Sequence, residues 1–247
     1  MAWQTPKTNW APEDGVRDAD FNRIEGNILE LYRGSSGMSD TTIYVSSTGS
    51  DTTGTGASAA PYKTINYALS TLPKNLNGRN VLVYIANGTY TEDVVVKGFS
   101  NGMITLIGYY GAIATMYSIT ISSAICEVRS LELRLSSAGV TVTNGSVFLC
   151  SGAITASDVE RCLHVINGST CKVNAQLTAY NTTVAAVHAT GASKVYVLNI
   201  SGSGNTAVIV AEEGSIAAYG STNITVTSLT FISRTGGRVL TGSGGIS

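Results

Sequence analysis

Asn144-Gly145-Ser146, Asn167-Gly168-Ser169, Thr190-Gly191-Ala192-Ser193 and Glu213-Gly214-Ser215 are the words that decide the fold, because their glycines recur at one constant step. A regular step of roughly 20–50 residues marks a repeat architecture, in which each unit buries its apolar side only against its neighbours. The flanks repeat with the words. An apolar stretch precedes each turn at 140–142, 163–165, 184–187 and 208–210, and another follows at 147–149, 171–173, 195–197 and 216–218. A third recurs at Ile154, Leu177, Ile200 and Ile224. Three short strands and three turns in each repeat make the coil of a parallel β-helix. Leucine-rich repeats need Leu and Asn at other offsets, and helical repeats need longer helical runs.

The pattern predicts an all-β parallel β-helix of about 23 residues per coil. Six or so coils would span 81–232, with a Gly/Ser-rich tail over 233–247. Successive coils pair at a spacing of ~4.8 Å and stack their inward side chains. Cys126, Cys150 and Cys171 fall near equivalent places in three consecutive coils and read as a column of small core residues. Together with Cys162 they show neither CxxC pairing nor zinc spacing, so the reading contains no metal, no cofactor and no disulfide.

Upstream of the repeats the texture changes twice. Over 1–38 lie both tryptophans, Trp3 and Trp10, and a stretch from Asp18 to Arg33 in which Phe21, Ile24, Ile28 and Leu31 follow 3-4-3 spacing. That spacing predicts a helix over 18–33 with one apolar face, capped by Asp18 and stopped by Gly34-Ser35-Ser36-Gly37. Over 39–80 a short strand at 43–46 precedes a polar turn region. A helix follows between Pro61 and Pro73, with Ile65, Ala68, Leu69 and Leu72 as its stripe, and is expected to lie over the first coil.

Composition closes off several classes. Charged residues are 13% of the 247 and the net charge is −1, which leaves no electrostatic footprint for nucleic acid. No apolar run approaches the ~20 residues of a membrane-crossing helix. The start, Met1 to Lys7, has no apolar signal-peptide core, so no secretory route is expected.

Two segments carry resemblances. Tyr44-Val45-Ser46 through Asp51, then Pro61-Tyr62-Lys63-Thr64-Ile65 with Ala68-Leu69, then Ala86-Asn87-Gly88-Thr89-Tyr90-Thr91-Glu92 resemble the opening of pectin-lyase-like right-handed β-helix proteins. That resemblance implies a first strand, a capping helix and a first coil. It does not imply one activity, since the fold hosts lyases, hydrolases and adhesins. Trp3 to Trp10, Glu13-Asp14 and Asp20 to Asn27 resemble N-terminal segments of tail-fibre and baseplate-associated proteins from phages of Gram-positive bacteria. This second resemblance implies a virion protein that assembles in the host cytoplasm. It would attach to other tail proteins through residues 1–35, with Trp3, Trp10, Phe21, Ile24, Ile28 and Leu31 as contacts. Related spikes imply a homotrimer.

Catalysis finds little support. Glycoside hydrolysis needs two convergent carboxylates about 5–9.5 Å apart. From Phe99 onward only six acidic residues occur, and Asp158, Glu160 and Arg161 form the one mixed cluster. With no acidic residue at the matching places of neighbouring coils, a solvated turn is the simpler reading; the alternative is a polysaccharide depolymerase. His164 and His188 stand in neighbouring coils, one position off the repeat, and read as two unrelated histidines, the alternative being a metal or acid–base pair. Tyr180, Tyr196 and Tyr219 recur in successive coils and could stack on a host-surface glycan, or in part belong to the core. The expected function is therefore a non-enzymatic, receptor-binding fibre or spike.

Overall fold

A computed structural model of the chain describes residues 23, 41–109, 112–135, 138–226 and 231–241. The expected helix over 18–33 and the tail beyond Thr241 lie outside the described residues, apart from Arg23. Thr42–Ser247 forms one compact unit.

Alternation sets the strands. β1 (Thr41–Val45) buries Ile43 and Val45 on one side. β2 (Asn75–Ile85), β3 (Gly88–Thr89) and β4 (Asp93–Lys97) make the first coil, and β4 alternates strictly, with Val94 and Val96 inside. The second coil is β5 (Ser100–Gly108), β6 (Ile113–Met116) and β7 (Ser118–Ser122). The third is β8 (Ile125–Arg129), β9 (Glu132–Leu135) and β10 (Val140–Thr143). The fourth is β11 (Val147–Cys150), β12 (Ile154–Ser157) and β13 (Arg161–Val165). From the fifth coil the first two strands fuse. β14 (Thr170–Tyr180) is followed by β15 (Ala185–Ala189), and β16 (Lys194–Asn205) by β17 (Ile209–Ala211). β18 (Ile216–Val226), β19 (Phe231–Ser233) and β20 (Arg238–Thr241) complete the described coils.

Strands of successive coils pair in parallel register throughout, in a 13-stranded and a 7-stranded sheet. The protein is a parallel β-solenoid of about seven turns, one more than the repeats alone suggest.

The inward column Val81, Ile104, Cys126, Phe148, Cys171, Val195, Ala217 and Val239 shows how the core is built. Every member is buried. Burial of each larger side chain in it contributes about 1.5–3 kcal/mol. This column also corrects the reading of the cysteines. Cys126 and Cys171 share it with Phe148 between them, whereas Cys150 belongs to the adjacent column with Val128 and Val173. Because β8 and β11 pair Cys126 with Phe148, a count carried on to Cys150 overshoots by one inward position.

The repeated words form the turn between the third face and the first. Asn144 and Gly145 have φ of 57° and 68°, and Asn167 and Gly168 have 54° and 69°. Two successive left-handed residues suit Asn and Gly, which reach that region at least cost. The fifth coil holds one residue more and the sixth one fewer, so Gly191 aligns with Asn167, and Ala192 (φ 58°) takes the place of Gly168. The constant step of the glycines is therefore broken in structure at Gly191. Replacing Ala192 by Gly removes the Cβ from a left-handed position; it is expected to stabilise the protein by about 1 kcal/mol, read as a higher midpoint in urea.

The serine that ends each word is buried and joins coils. Ser146 N–H donates to Ser169 Oγ at 3.2 Å, Ala124 N–H to Ser146 Oγ at 3.3 Å, and Ser193 N–H to Ser215 Oγ at 3.0 Å. The Ser193 hydroxyl donates onward to Thr190 O within its own turn. The hydroxyls of Ser146, Ser169 and Ser215 thus each satisfy an amide that the tight turn takes out of the sheet.

The helix is shorter than its sequence stripe. α1 spans Ile65–Ser70, because Tyr62 is used as strand, donating to Tyr44 O and accepting from Ser46 N–H. Thr64 is its N-cap, with its hydroxyl accepting from Tyr67 N–H. The remaining first-turn donors go to one distant carboxylate: Ile65 N–H to Glu92 Oε1 at 2.7 Å and Asn66 N–H to Glu92 Oε2 at 2.9 Å. Asp51 holds the entry by accepting from Lys63 N–H, Thr64 N–H and the Thr64 hydroxyl. The Asn66 side chain then occupies the edge of β4, donating to Asp93 O and accepting from Val95 N–H. Ile65, Ala68 and Leu69 are buried in the same core as the coils.

Candidate functional site

Asp158 and Glu160 flank the inward Val159 at the turn before β13, so both carboxylates lie on the outside. They do not converge on a shared space. Asp158, at φ 57°, accepts from Asn181 Nδ2 at 3.0 Å, and Glu160 pairs with Arg161 at 2.5 Å. Arg161 instead leads to a constellation that counting by a fixed step does not find.

His164 and His188 are direct register partners on β13 and β15, where the local step is one longer than that of the glycines. Their rings stack with centroids 5.1 Å apart and planes 13° from parallel, so the reading of two unrelated histidines is corrected. Arg161 Nε donates to His188 Nδ1 at 2.8 Å, which leaves the proton of a neutral ring on Nε2. That nitrogen faces Glu212 Oε2 at 3.3 Å, and Arg234 Nη1 lies 3.5 Å from Glu212 Oε1. The series Arg161, His188, Glu212 and Arg234 runs up the outside of the third face, beside a small apolar cluster of Ala185, Ala207 and Val210. Each charge in it is matched by a neighbour, so the arrangement fastens coils four to seven.

Burial, followed by the Arg161 and His188 charges, lowers the His164 pKa from 6.5 to about 4. The native state therefore binds a proton less readily than the unfolded chain. The stability this ring confers is complete above about pH 6.5 and is lost as pH falls toward 4. With solvent screening the loss amounts to about 1 kcal/mol. Thermal unfolding from pH 7 to pH 4 should show it, and His164→Thr, which repeats Thr141 of the preceding coil, should flatten that part of the profile.

The three tyrosines expected to face a glycan do not share a surface. Tyr219 points inward and belongs to the core, which corrects its assignment as a surface contact. Tyr180 ends β14 and is exposed. Tyr196 stands outward on β16, in register with Lys172 on β14, whose Nζ lies 6.0 Å from the ring centroid. Thr170, Lys172, Lys194, Tyr196 and Ile216 surround a hollow of about 230 Å³ there.

A second aromatic group has a weaker signature in the sequence. Tyr44 and Tyr84 stack at 5.2 Å, and Tyr109 meets Tyr84 edge-on at 6.4 Å. They line a groove of about 220 Å³ with Ser46, Ser58, Pro61 and Ala86. Its only sequence signal is the outward position of Tyr44 and Tyr84 in strands that pair side by side.

All four cysteines are free and buried, and burial pushes their thiols up, Cys150 and Cys162 to about 12. They are packing residues rather than nucleophiles. Among the described residues no group of three or more His, Cys, Asp and Glu is placed to hold a metal ion, and no helix is long and apolar enough to cross a membrane. The proposed contacts Trp3, Trp10, Phe21, Ile24, Ile28 and Leu31 lie outside the described residues. Comparison with protein-family models, curated proteins and solved structures finds no match to this chain.

Proposed function

We propose that the chain is a structural, receptor-binding fibre or spike protein of a phage tail or tail-like particle. Its N-terminal 35 residues attach it to other tail proteins, and the solenoid projects as a shaft. The observation that carries this reading is the solenoid itself: about seven coils with a continuous apolar core and outer polar groups that fasten coil to coil. The N-terminal resemblance supplies the particle and assembly in the host cytoplasm, and analogy with related spikes makes the working form a homotrimer. In a density gradient of native particles the chain should co-sediment with them, and Trp3→Ala/Trp10→Ala should release it. A chain that never leaves the top of the gradient contradicts the reading, and sedimentation of a monomer both free and particle-bound contradicts the trimer.

The alternative, a polysaccharide depolymerase, draws on one contact, the link from Arg161 through His188 to Glu212, because imidazole and carboxylate are acid–base groups. Release of oligosaccharides from host capsule or wall glycan, lost in His188→Ala/Glu212→Ala or in Asp158→Ala/Glu160→Ala, would establish it in place of the non-enzymatic reading.

A further inference from the structure

Chemistry on the outer side of the first face is unevenly distributed. Two outward columns run side by side there: Glu127, Leu149, Lys172, Tyr196 and Ala218, and next to it Val147, Thr170, Lys194, Ile216 and Arg238. The only carboxylate in either is Glu127, which Arg129 already holds at 2.6 Å. Lys172, Lys194 and Arg238 are exposed, and among the described residues none of them has an ion-pair partner. In a chain with a net charge of −1, this places two unneutralised lysines in neighbouring coils, with Arg238 two coils beyond Lys194. Coils rise by about 4.8 Å, so the two lysines reach one small anion together.

Tyr196 and Ile216 supply the other half of the site. The Tyr196 ring offers a π face to the hollow, where the Lys172 ammonium already sits at 6.0 Å. Ile216 and the backbone of Cys171 and Val195 make the rest of the wall. At about 230 Å³ the space suits a single ring, being smaller than the roughly 300 Å³ at which pockets for drug-sized ligands begin. A ligand that uses all of this has a flat apolar side for Tyr196 and an anionic substituent for the two lysines.

We propose that the Lys172–Lys194–Tyr196 hollow is a binding subsite for a sugar ring bearing a carboxylate or a phosphate. This rests on the reading of the shaft as a receptor-binding surface and names the class of ligand it takes. Lysine serves here as a point charge that either anion satisfies, and the ring selects for a saccharide over a free ion.

Calorimetric titration of the full-length protein with hyaluronan hexasaccharide, a 6-phosphorylated maltohexaose and neutral maltohexaose tests it. At least one anionic probe should bind, with affinity falling several-fold from low to physiological salt. Lys172→Ser/Lys194→Ser should weaken that probe by roughly tenfold or more, and Tyr196→Ala should weaken hyaluronan, while thermal midpoints stay unchanged because all three side chains face out. Binding of hyaluronan alone assigns a carboxylate sugar, of the phosphorylated maltohexaose alone a phosphate-bearing one, and both results support the subsite. Anionic probes binding no better than maltohexaose, or undiminished by the double substitution, overturn it. Particle attachment is read separately by co-sedimentation, so a failed titration with intact co-sedimentation removes the subsite alone.

Discussion

Asn205→Ala should lower the free energy of unfolding by about 3–5 kcal/mol, among the largest losses for a single polar residue of this chain. Asn205 is completely buried at the end of β16. Its Oδ1 accepts from both the Thr182 N–H at 3.1 Å and the Thr182 hydroxyl at 2.8 Å, and its Nδ2 donates to Ala179 O at 2.8 Å. One amide therefore closes the corner of the fifth coil from the sixth. Truncation leaves two donors and an acceptor dry and unpaired, each costing about 1–3 kcal/mol. Urea denaturation measures the loss, and hydrogen exchange should place it at the Thr182 amide and its neighbours. Asn205→Asp keeps the acceptor but removes the donor and buries a charge, so it should not rescue. A loss below about 1 kcal/mol for Asn205→Ala would show that this corner is solvated.

Phe148→Ala should cost about 3–5 kcal/mol, for a different reason. Phe148 is fully buried on β11, with Cys126 one coil below and Cys171 one coil above. Neither cysteine is large enough to fill the space the ring leaves, and parallel pairing on both sides prevents β11 from collapsing inward. The cost therefore includes the cavity as well as the lost transfer energy. A continuous column of cysteines at 126, 150 and 171 would keep Phe148 on the same inward face, two residues earlier, but set it against other neighbours. The denaturation midpoint of this one variant measures the cost, and a loss below about 1 kcal/mol would contradict a ring packed between two small neighbours.

The fold is legible because β-solenoids write their period into turns. Asn144-Gly145 and Asn167-Gly168 need left-handed backbone, and few residue types supply it. Strand alternation then marks the inward positions of most coils. What stays hidden follows from coils of unequal length. Where a coil is one residue longer, as between His164 and His188, a fixed period misaligns outward neighbours and makes stacked rings look unrelated. An unequal coil also sets Phe148, rather than Cys150, in register with Cys126, although both face the core. The opening motif has a physical basis that spacing does not announce. Asp51 and Glu92, far apart in sequence, are both spent on the start of α1, one holding its entry and the other its first two amides. The cationic hollow around Tyr196 is half legible: the tyrosine stands out in the sequence, whereas Lys172 and Lys194 become its neighbours only through the parallel register of β14 and β16.

The central claim is a β-solenoid shaft carried on a particle by its N-terminal segment. Cryo-electron imaging of the native assembly, with a Fab raised against the outer face around Tyr196 as a fiducial, tests it most directly. The expected image is a shaft of stacked coils with a repeat of ~4.8 Å, joined to a tail or tail-like particle at its N-terminal end, with the Fab standing off along the side. A chain found free of any particle, or one joined through its C-terminal coils, would contradict it.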